Sequence, residues 1–153
     1  MKARTILATL VCFFTGLALY AADPNMGTWK LNEAKSKFAA GANKFTTVVY
    51  APAGDMVKIT VDGTDKDGKA VHNEWTGKYD GKDYPVTGDA VADSRSYTKV
   101  DDRTLNMSVK KGGKVIGTGT IVVSADGKSR TVTTKGADAS MASMNNTAVY
   151  DKQ

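Results

Sequence analysis

Apolar and polar residues alternate one by one over much of this chain, and Asp-Gly or Gly-Gly pairs interrupt the alternation at short intervals. Val57, Ile59 and Val61 alternate with Lys58, Thr60 and Asp62. Leu105, Met107 and Val109 alternate with Asn106, Ser108 and Lys110. Val71, Asn73, Trp75, Gly77 and Tyr79 alternate with His72, Glu74, Thr76 and Lys78. A period of two puts successive side chains on opposite faces of a strand, one face for a core and one for water. The interruptions are Asp67-Gly68-Lys69, Asp80-Gly81-Lys82, Gly112-Gly113 and Asp126-Gly127-Lys128. Such pairs supply the positive φ angles that tight hairpin turns require.

Strands are therefore predicted over Met26–Leu31, Phe45–Ala51, Met56–Asp62, Ala70–Tyr79, Tyr84–Val86, Asp93–Val100, Thr104–Lys110, Lys114–Ser124, Ser129–Lys135 and Thr147–Lys152. Successive short strands with tight connections form an antiparallel meander, and a long meander hides its edges best by closing on itself. The expected fold is all-β: an up-and-down antiparallel β-barrel of about 8–10 strands. One helical turn is expected near Asn32–Ser36, with Asn32 as its N-cap. Gly136–Asn146 shows no periodicity and is expected to be a loop.

At the N-terminus, Lys2 and Arg4 precede an uncharged run from Thr5 to Tyr20, followed by Ala21-Ala22. This is the layout of a secretory signal peptide, with cleavage expected between Ala21 and Ala22. The run is 16 residues long, short of the ~20 apolar residues that span a bilayer. Residues 1–21 are thus assigned to the signal and 22–153 to a single domain, large enough for one core. The expected location is outside the cytoplasm, in a bacterial periplasm or secreted. The single cysteine, Cys12, lies in the signal segment, which leaves the mature chain without thiol, disulfide or cysteine metal ligand. A cysteine-free exported domain fits a bacterial periplasm better than an extracellular animal setting. The net charge of +5 becomes +3 once Lys2 and Arg4 are removed, and the lysines are scattered singly. That pattern speaks against nucleic acid as a partner. No transmembrane segment is expected in the mature chain, which is expected to be monomeric.

Chemistry-bearing motifs are scarce. The one histidine, His72, shares its strand face with Glu74 and Lys78, which reads as the solvent face. No Gly-x-Ser-x-Gly turn or Gly-x-x-x-x-Gly-Lys loop is present. Counting Gly63 as the first position, Asp65, Asp67, Gly68 and Glu74 match part of a calcium loop. The leading aspartate is absent and strands flank the segment, so a solvated hairpin is expected instead. Neither catalysis, metal nor cofactor is expected. The aromatics Trp29, Phe45, Trp75, Tyr79, Tyr97 and Tyr150 fall on different strands and would fill a barrel or line a cavity in it. Thr47, Asn73, Gly77, Gly117, Gly119 and Ala148, counted as inward by parity, are small or polar and would leave room for a small cavity.

At Gly27-Thr28-Trp29-Lys30-Leu31 the chain resembles the calycin superfamily of lipocalins and fatty-acid-binding proteins. Asn146-Thr147-Ala148-Val149-Tyr150-Asp151-Lys152 is similar to the closing strand of the fatty-acid-binding branch. The resemblance implies a lipocalin-like barrel in which Trp29 packs across one end. It implies non-covalent binding of a small apolar or amphipathic ligand, with Trp75, Tyr97, Met107 and Tyr150 lining the interior. In that branch an arginine two residues before the tyrosine grips a carboxylate. Here that position is Ala148, and Arg130, one strand earlier, is the candidate substitute. From Ala148, neutral ligands are expected to be preferred over fatty acids. The alternative expectation is a filled barrel acting through its surface as a non-enzymatic envelope or secreted interaction module.

Overall fold

The computed structural model describes residues 23–153. The expected signal peptide and its cleavage site lie outside the described residues. The alternating stretches form ten strands: β1 Gly27–Leu31, β2 Lys44–Ala53, β3 Met56–Thr64, β4 Ala70–Gly77, β5 Tyr84–Thr87, β6 Ser94–Lys99, β7 Thr104–Lys111, β8 Lys114–Val123, β9 Ser129–Gly136 and β10 Asn146–Lys152. Every strand is antiparallel to its neighbours in sequence, and β1 pairs with β10 to close the barrel. Closure leaves no free sheet edge. The expected all-β, up-and-down barrel is thus the fold. The helical turn is present as a 3₁₀ turn at Glu33–Lys35, with the Asn32 side chain accepting from the Lys35 amide. The expected loop at 136–146 is more ordered than its composition suggested. Asp138 caps a short 3₁₀ segment, Ala139–Met144, that folds over the barrel end.

Strand direction defines the two ends. The β2–β3, β4–β5, β6–β7 and β8–β9 turns gather at the lower end with residues 23–26 and the C-terminus. The β1–β2, β3–β4, β5–β6, β7–β8 and β9–β10 connections gather at the upper end. Trp29 closes the lower end. It is fully buried, its indole Nε1 donates to the Asn25 carbonyl at 2.8 Å, and Lys152 Nζ lies 5.1 Å from its ring centre.

Parity assigns most side chains to the right face and fails at two register shifts, one between β2 and β3 and one between β7 and β8. A β-bulge between Phe45 and Thr47 sets two residues of β2 against one of β3. Beyond it the alternation is inverted, so Val48 and Tyr50 are buried. Thr47 is outward, accepting from Lys30 Nζ at 2.7 Å. Ala148 and Asn73 are buried as expected. The inward glycines do not leave voids. A Cβ on Gly77 would lie 2.6 Å from atoms of both Trp75 and Tyr84, and one on Gly119 would lie 2.8 Å from Met107 Cε. The Met144 side chain covers Gly117 in the same way. Each glycine receives a large neighbour, which is how a close-packed interior uses a missing side chain.

Candidate functional site

The lower half of the barrel is packed, and the upper half is not. A cavity of about 390 Å³ opens between the upper connections. Val48, Ile59, Val61, Val109, Ile121 and Val132 form much of its wall. Its rim carries Asp65, Lys66, Asp67, Asp89 and Val91, with Met141 and Met144 from the 3₁₀ segment over the β9–β10 connection. Tyr50, Arg130 and Tyr150 form the floor, at the lower ends of their strands.

Of the four side chains expected to line the interior, Tyr97, Met107 and Tyr150 do so, and Arg130, the candidate substitute cation, joins them. Trp75 does not. Trp29, expected to pack across one end, lies beneath the floor. Trp75 turns into the space above Gly77 and packs edge-on against Tyr97 at 4.7 Å and Tyr84 at 5.7 Å between ring centres. Its indole Nε1 donates to the Arg95 carbonyl at 3.0 Å. Both indoles are structural, because each has its N–H satisfied by the backbone and its ring enclosed.

Arg130 is the unusual member. It is 2 % exposed, although a guanidinium is charged at all ordinary pH. Its register partner across β9 and β10 is Tyr150. The guanidinium carbon lies 4.7 Å from the ring centre of Tyr50, 4.8 Å from Trp29 and 5.0 Å from Tyr150. Among the described residues no carboxylate pairs with it, and its Nε and Nη1 have no hydrogen-bond partner. Three ring faces return part of the desolvation cost, up to about 2 kcal/mol each when dry. Two orphaned donors cost about 1–3 kcal/mol apiece. Burial pushes the Tyr150 phenol up to about 12 against the opposing pull of the Arg130 charge, so its hydroxyl is a neutral donor. Burial also raises Tyr97.

Sequence reasoning missed a second inward arginine. Arg95 on β6 is buried beside the same cavity. Its Nη2 pairs with Asp89 and its Nη1 donates to Asn73 Oδ1 at 3.0 Å. Parity held the signal, since Arg95 shares a face with Tyr97. Tyr50 was hidden by the bulge, which inverts the phase of β2. His72 is exposed on the outer face, 2.6 Å from Asp62 Oδ1. The Asp65–Lys69 segment is a hairpin in which Asp65 Oδ1 accepts from the Asp67 and Lys69 amides, each at 2.9 Å. Among the described residues no group of three or more His, Cys, Asp or Glu side chains is arranged to hold a metal ion.

The fold and cavity define the class: a closed ten-stranded antiparallel barrel with a hollow upper half. No family model matches the chain, and no curated protein matches it. Among solved structures it is similar to a redesigned β-barrel, mFAP1, bound to DFHBI. The TM-score is 0.46 and the identity 17%, over 86% of this chain and 98% of that one. It is also similar to EF1p2_mFAP2b bound to DFHBI, with TM-score 0.45 and identity 16% over 87% and 97% of the two chains.

Proposed function

We propose that this is an exported protein that holds a small apolar or amphipathic ligand non-covalently inside its barrel, without catalysing a reaction. The cavity of about 390 Å³ carries this reading. Ligand sites typically enclose about 300–1,000 Å³ and combine apolar walls with a few placed polar groups. Here the walls are valine and isoleucine, and the polar groups are Arg95, Arg130 and Tyr150. The surface supports the competing interaction-module reading less well. Among the described residues the large hydrophobics that stand exposed are four valines, Val91, Val100, Val115 and Val122, whereas a docking face needs a contiguous apolar patch of several hundred Å².

The test is mass spectrometry of an organic extract from protein purified without denaturation. The expected result is one small amphipathic species at near-equimolar amount, absent from extracts of heat-unfolded protein that has been dialysed. An extract that matches the dialysed control would count against a resident ligand. Export rests on Lys2, Arg4, the uncharged run and Ala21-Ala22. Intact mass should place the N-terminus of the secreted protein at Ala22 or within a residue or two, and a cytoplasmic product that retains Met1 would refute it.

A further inference from the structure

The two inward arginines differ in their partners. Arg95 is neutralised by Asp89 and hydrogen-bonded by Asn73, although its Nε is unbonded. Arg130 is buried more deeply, has no acidic partner among the described residues, and leaves Nε and Nη1 unbonded. Its three close neighbours, Trp29, Tyr50 and Tyr150, solvate the cation with ring faces but bring it no acceptor oxygen. Buried charges are ordinarily paired, so the missing element at the cavity floor is a negatively charged acceptor. The rim acids do not supply it. Asp89 is bound to Arg95, Asp67 to Lys66, and Asp65 to backbone amides of its own turn.

Taking the cavity as a ligand site, we infer that its ligand is a compact anion whose acidic group, a carboxylate or sulfonate, sits on Arg130 while its apolar body fills the space above. The neutral phenol of Tyr150, beside Arg130 in register, offers the acidic group a further donor. An anion here gains charge-assisted hydrogen bonds in a water-poor site, where such bonds are strongest. The cavity, near the lower end of the usual range, favours a compact body over a long chain. This reverses the preference for neutral ligands expected from Ala148. The cation comes from β9 rather than β10.

Two dyes with the same arylamine body make the test: anilinonaphthalene sulfonate, an anion, and N-phenylnaphthylamine, which is neutral. Titrated by fluorescence into the unmodified protein, the anion should bind about tenfold to a hundredfold more tightly. Arg130→Met should abolish that difference. Circular dichroism matching that of the unmodified protein confirms that the variant is folded. Equal affinity of the two dyes for the unmodified protein would overturn the inference and leave the cavity reading standing. A preference for the anion that survives in folded Arg130→Met would also overturn it. Binding of neither dye would overturn the inference and the cavity reading together.

Discussion

At the scale of single residues, the lower half of the barrel is held by aromatics whose polar tips are taken out of water. Burial raises the phenols of Tyr79, Tyr97 and Tyr150 above the ordinary tyrosine value of 10.0. The sign of the consequence is fixed. Below about pH 10 these groups are neutral in both folded and unfolded chains, and their contribution to stability is complete. Between about pH 10 and the raised values, only the unfolded chain ionises, so stability falls as pH rises. Each such tyrosine removes up to about 1.4 kcal/mol per pH unit over that window. Urea unfolding should therefore show a midpoint that drops steeply above about pH 10, with a shallower drop for Tyr150→Phe. Tyrosinate absorbance that reached its full amplitude before the barrel unfolded would contradict the burial of these phenols. The inward placement of Tyr97 and Tyr150 was expected from the sequence. Arg95, which shares parity with Tyr97, was overlooked. What parity cannot show is which residues meet across strands. Arg130 faces Tyr150 only because β9 and β10 pair in one register out of several that the pattern allows.

At the scale of elements, local signals were sufficient for nearly every strand and turn, because Asp-Gly hairpins and two-residue alternation are both short-range. The exceptions needed long-range contacts to be seen. The bulge at Phe45–Thr47 has no signature of its own within β2. Its counterpart is Gly63 on β3, where the backbone of Lys44 and Phe45 comes so close that an added Cβ would lie 2.7 Å from Phe45 Cα. The 3₁₀ cover at Ala139–Met144 was read as loop because its order comes from Asp138 capping and from seating on Gly117 and Gly136, not from periodicity. Gly63→Ala should destabilise the protein by about 1–3 kcal/mol, the usual range for forced overpacking, since the opposing atoms are backbone and cannot rotate away. Urea denaturation of the variant measures it. An unchanged midpoint would mean that the bulge tolerates a wider spacing than the one seen.

At the scale of the whole molecule, a closed meander solves the edge problem of a β-rich chain, and its two ends diverge in use. The lower end is closed by Trp29, Lys152 and the aromatic floor, and the upper end stays hollow behind a rim of short connections. The overall barrel was legible from the sequence because closure follows from strand number and short turns. The hollow was only half legible. Gly77, Gly117 and Gly119 suggested room, yet each is filled by a neighbouring side chain. The cavity comes instead from the valine and isoleucine walls, too short to meet across the upper barrel. Val132 is one of those walls and is only partly buried. The decisive measurement is a fluorescence titration of N-phenylnaphthylamine into the unmodified protein and into Val132→Trp. An interior site predicts one dye per unmodified chain, and near-complete loss of binding in a variant whose circular dichroism is unchanged, because the indole occupies the dye's space. Undiminished binding by folded Val132→Trp would place the dye on the outside and contradict the account.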